Sequence, residues 1–82
     1  MVDTHALIRA IELALANAWD EAHRIVQDYD DRNACWIHAV LHRIEGDEGN
    51  SRYWYGRAGK PFTTSTDPAA ELEQIKAALM NQ

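Results

Sequence analysis

The chain has one cysteine, two prolines and four glycines in 82 residues, and neither glycine nor proline occurs before Gly46. A lone Cys35 excludes an internal disulfide framework and fits a reducing compartment, so a cytoplasmic location is expected. No apolar run approaches the roughly 18 residues of a membrane helix. The N-terminus MVDTHALIRA lacks the basic stretch and apolar segment of a signal peptide. Positive charge is scarce: eight Lys and Arg against 13 Asp and Glu leave a net charge of −5. Nucleic-acid-binding domains usually carry a basic excess, so neither nucleic acid nor a membrane is expected as a partner. No glycine-rich phosphate loop is present either, because Gly46, Gly49, Gly56 and Gly59 are spaced for helix ends and close packing.

What is present is globular: 46% hydrophobic and 26% charged residues, sized for one domain over 1–82. A first half without helix breakers favours long helices. Asp3 or Thr4 caps a first helix over 4–16, with Leu7, Ile8, Ile11 and Leu15 on one face. Asn17-Ala18 reads as a turn. A second helix over 19–30 places Ala22, Ile25, Val26 and Tyr29 together. Asp28, Asp30 and Asp31 oppose the negative end of that helix and suit the start of the next, so the break falls near 30–32. A third helix over 33–45 carries Trp36, Ile37, Val40, Leu41 and Ile44, and Gly46 is its left-handed stop. Asp47 caps a fourth over 48–58, ended by Gly59 and Pro61. Asp67-Pro68 opens a fifth over 68–80, with Leu72, Ile75 and Leu79. No segment alternates as a half-buried strand does, although the β-branched run 63–66 has the composition of a short extended piece. The expected class is all-α.

A shift of 29 residues lays the first helix pair on the second: Ala10 on Ala39, Ile11 on Val40, Leu15 on Ile44, Ala22 on Ser51 and Val26 on Tyr55. This predicts two antiparallel helical hairpins in tandem with a C-terminal capping helix. The small residues at 22 and 51 let the helices of each hairpin approach closely. Gly46-Asp47 followed by Ser51, Tyr55 and Ala58 resembles the second helix of a tetratricopeptide repeat, and Asn17-Ala18-Trp19-Asp20-Glu21-Ala22 is similar. The repeat here is shorter than that family's, which is about 34 residues. The stretch Trp36-Ile37-His38-Ala39, Leu41-His42-Arg43, Glu45-Gly46-Asp47, Asn50, Tyr53-Trp54-Tyr55, Arg57-Ala58-Gly59 and Pro61 resembles a family of small uncharacterised bacterial and fungal proteins. That resemblance implies an all-helical fold and carries no activity with it.

Two constellations carry chemistry. Cys35, His38, His42 and Glu45 are spaced by three, four and three, one stripe of a helix. At 1.5 Å of rise per residue, Cys35 and His42 lie about 10 Å apart along the axis, too far for one zinc. A divalent metal would therefore use His38 and His42, helped by Glu45, Asp47, His23 or a second chain. The other outcome is a central helix sandwiched on both sides, with hydrogen-bonded interior histidines and no cofactor. The second constellation is Arg43, Arg52, Tyr53, Trp54 and Arg57, with Lys60 close by. Such clusters bind anionic or flat ligands, or serve as protein interfaces. They also occur as core aromatics with arginines paired to Glu45, Asp47 and Glu48.

No nucleophile is well placed, since a cysteine mid-helix on a packed face is usually inert. The expected function is a small non-enzymatic interaction or assembly module with a protein partner or self-association. The alternative is a metal- or small-ligand-binding protein, an enzyme among the possibilities, using the His38, His42 and Glu45 stripe and the Arg and aromatic cluster over 43–60.

Overall fold

The computed structural model describes residues 3–82; Met1 and Val2, part of the N-terminal stretch read above, lie outside the described residues. Five helices make up the fold: α1 (Thr4–Leu15), α2 (Trp19–Val26), α3 (Arg32–Glu45), α4 (Glu48–Ala58) and α5 (Pro68–Met80). There is no strand among the described residues, and 63–66 is irregular.

Local chemistry explains most boundaries. Asp3, Asp31, Asp47 and Asp67 each accept a hydrogen bond from a first-turn amide, at 3.1–3.2 Å. Gly46 and Gly59 end α3 and α4 at φ of 85° and 71°, where a side chain is disfavoured. Asn17 takes the same region at φ 66° in the turn between α1 and α2. One boundary differs from expectation by more than one residue. α2 stops at Val26, with Gln27 as its cap, rather than continuing to residue 30. The amides of Asp28 and Tyr29 close tighter three-residue turns onto Ile25 and Val26, which leaves Asp31 free to cap α3.

The short connections after α1 and after α3 fold each pair back on itself, so α1 packs on α2 and α3 on α4. α5 closes the molecule against α1 and α3. Ala22 and Ser51 sit fully buried in the two pairs, and the Ser51 hydroxyl donates to the Ala39 carbonyl at 2.8 Å.

α3 touches every other helix. Consequently Ala34 through His42 are all buried, polar stripe and apolar face alike. Ile37, Val40 and Leu41 meet Leu7, Ile11, Leu72, Ile75 and Leu79 in the core. Each such aliphatic contributes about 1.5–3 kcal/mol by leaving water. Burial of α3 is broken at Ile44: expected in the core, it is 44% exposed on the rim of a groove.

Candidate metal centre

His38 and His42 stand one turn apart on the central helix, and α2 brings His23 against them. His38 is 4% exposed, His42 is 8% exposed and His23 is half-buried. The Nε2 atoms of His38 and His23 are 3.0 Å apart, so one ring donates and the other accepts. One ring nitrogen from each of the three histidines lies within 4.8 Å of the others. Two indoles wall the group: Trp19 stacks on His23 at 4.8 Å between centroids, and Trp54 stacks on His38 at 3.9 Å. Trp19 is itself held by its N–H donating to the Leu41 carbonyl at 2.6 Å.

Burial, and then repulsion from His23, His42 and Arg57, pushes His38 down to about 4. Burial and His42 lower His23 as well. His38 is therefore neutral at pH 7, with a lone pair to offer. The same shift sets a stability slope in chelator-treated protein. The fold disfavours protonated His38, so its full contribution is present above pH 6.5 and is lost as pH falls toward 4. Urea titrations at pH 7 and pH 4.5 should differ by about 2 kcal/mol from this residue, allowing for partial solvation, and His38→Gln should remove that part.

His42 turns its Nδ1 to Glu45 Oε1 at 2.8 Å. Glu45 thus bonds a histidine of the group, and the third nitrogen comes from His23. Asp47 lies within reach of His42 and Glu45. Its carboxylate also accepts from the Asn50 side chain at 2.7 Å and the Asn50 amide at 3.2 Å, which hold it below the usual carboxylate range.

The Arg and aromatic cluster divides. Arg43 turns inward: its Nη1 donates to Glu71 Oε1 at 2.7 Å and to the Thr63 carbonyl at 3.0 Å, and its Nη2 donates to the Thr66 carbonyl. The Glu71 Oε2 accepts from Tyr55 Oη and Trp36 Nε1, both at 2.7 Å. Burial and the bond to Glu71 push the Tyr55 hydroxyl up to about 12. This network ties the 60–67 loop and α5 to α3 and α4. Arg52 pairs with Glu48 at 2.9 Å and lies over Phe62. Tyr53 is 56% exposed and meets Trp54 edge-on. Arg57 lies over the Trp54 ring at 5.1 Å. Of the five residues, then, only Trp54 touches the histidines directly, and Arg57 borders them through it.

Cys35 is buried, its thiol donates to the Asp30 carbonyl at 3.6 Å, and burial pushes it up, away from thiolate character. Sequence spacing left His23 as one of several interchangeable helpers and passed over Trp19 and Glu71. Their pairings span 15, 22 and 35 residues, and no local pattern encodes them. No protein-family model matches this chain, no curated protein does and no solved structure does, so its role has to be inferred from the chemistry of the histidine group.

Proposed function

We propose that the protein binds a divalent transition-metal ion through His23, His38 and His42. The observation that carries this reading is the convergence of three imidazoles from two helices, their nitrogens within 4.8 Å of one another. Two nitrogens on a tetrahedral zinc stand about 3.3 Å apart, given bonds of 2.0–2.1 Å. The 3.0 Å between His38 and His23 needs only a small opening, plus a switch of one ring's proton to its other nitrogen. Neutral rings favour a cation, because bound metal does not have to displace protons from charged imidazolium. A nitrogen-only set suits zinc, copper, nickel or iron rather than magnesium or calcium. Glu45 on His42 Nδ1 is the outer carboxylate that metal-bound histidines usually have.

Because the ion joins α2 to α3, loading stabilises the fold. At zinc a hundred times its dissociation constant, the gain is about 2.7 kcal/mol. For a domain of this size that is a rise of about 10–20 °C in melting temperature. Calorimetric melting with zinc or cobalt, alongside metal analysis after desalting, checks it. His23→Gln and His38→Gln should each abolish the shift. An unchanged melting curve with no retained metal removes the reading.

One observation favours a second reading, self-association. Ile44 stands on the rim of an apolar groove of about 350 Å³ lined by Leu15, Trp19, Pro68 and Leu72. A dimeric native mass by light scattering, returned to monomer by Ile44→Asp, is the expected result. A monomer at every concentration removes it.

A further inference from the structure

We infer that the loaded histidine centre keeps a coordination position open to solvent and that this position takes a small anionic ligand, a hydroxide, carboxylate or small oxyanion. This rests on the metal-binding reading above and goes beyond it.

Three neutral imidazoles leave the ion's double charge uncompensated, so charge balance calls for an anion. The two carboxylates that group with His42 already have partners. Glu45 is held by His42 Nδ1 at 2.8 Å. Asp47 caps α4 and accepts from both nitrogens of Asn50. A carboxylate bonded to a ligand's outer nitrogen orients that ligand instead of binding the ion. Cys35, the chain's one thiol, lies seven residues from His42 on α3, about 10 Å along the axis, and is bonded to the Asp30 carbonyl. Among the described residues no fourth side-chain donor groups with the three ring nitrogens within 4.8 Å.

The opening has a direction. His38 and His42 are buried, whereas His23 is half-buried, so solvent reaches the group beside His23. A cation flanks the group on the His38 side, whereas Glu45 and Asp20 place negative charge near His23. Arg57 lies over Trp54, the ring stacked on His38, and forms no ion pair among the described residues. Three protein ligands and one exchangeable position is the arrangement of zinc sites that bind or activate a small molecule; structural zinc sites are closed by four protein ligands.

Cobalt(II) reports this directly, because its visible bands follow coordination number and ligand type. The experiment loads the full chain with cobalt and titrates sodium azide as the probe anion. A saturable shift of the visible bands is expected. Glu45→Gln should weaken cobalt binding about 10–100-fold while leaving the band positions and the azide response intact, as a positioning residue would. Bands that do not respond to azide would mean that a protein donor fills the fourth position, and they would overturn this inference while leaving metal binding standing. Bands that move in Glu45→Gln would identify Glu45 as that donor and overturn it likewise. A chain that takes up no cobalt removes this inference and the metal reading together.

Discussion

Replacing Glu71 with alanine is expected to lower the unfolding free energy by about 3–5 kcal/mol in a urea titration. The side chains of Arg43 and Glu71 are 9% and 5% exposed, and the pair closes at 2.7 Å. Removing the acid strands a buried guanidinium and leaves the Tyr55 hydroxyl and Trp36 indole without their acceptor. An unsatisfied buried donor costs about 1–3 kcal/mol on its own. Domains carry about 0.05–0.15 kcal/mol of stability per residue, so a chain of this size has about 4–12 kcal/mol in all. The variant therefore sits near the edge of folding. Glu71→Gln keeps an acceptor oxygen and loses the charge, so it should cost less and remain measurable where alanine unfolds the chain. A loss below about 1 kcal/mol for alanine would mean that the pair is solvated in solution.

Trp36→Ala is the second large effect, again about 3–5 kcal/mol. The ring is 8% exposed, lies under the Lys60 ammonium at 4.3 Å and donates to Glu71. Truncation leaves a void beneath Lys60 beside Tyr55 and Glu71 and removes one of the three donors on Glu71. Trp36→Phe separates the two contributions: most of the volume stays and the hydrogen bond goes, for about 1–3 kcal/mol. Because Trp36 and Glu71 belong to one network, the double variant should fall short of the sum of the singles. Full additivity would show that the indole N–H contributes nothing to holding the acid.

Neither that network nor the group of three histidines is visible in a linear pattern, although the helices that build them are. Aspartates at 3, 31, 47 and 67, glycines at 46 and 59 and the proline at 68 act within one turn, and the structure places a cap or a stop at each. The stripe of Cys35, His38, His42 and Glu45 was equally legible, because helical spacing alone puts those residues on one face. Its partners were not. His23 reaches His38 only because α2 folds back on α1 and both lie against α3. Arg43, grouped by composition with Arg52 and Arg57, points the other way because position 43 faces α5. Ile44 fits the apolar period of α3 and still ends in solvent, since periodicity says which face a residue is on and not where the neighbouring helices stop.

The sequence by itself determined an all-helical chain of five segments, the aspartate caps and glycine stops of most of them, and a histidine pair one turn apart. These are short-range matters of backbone geometry, dipole and side-chain period. Only the tertiary structure decided that the pair becomes a group of three walled by Trp19 and Trp54, that Glu45 backs His42, and that Glu71 is the acid at the heart of the fold. Those outcomes depend on which helices meet and at what depth. That is set by burying the apolar faces of all five helices together around α3.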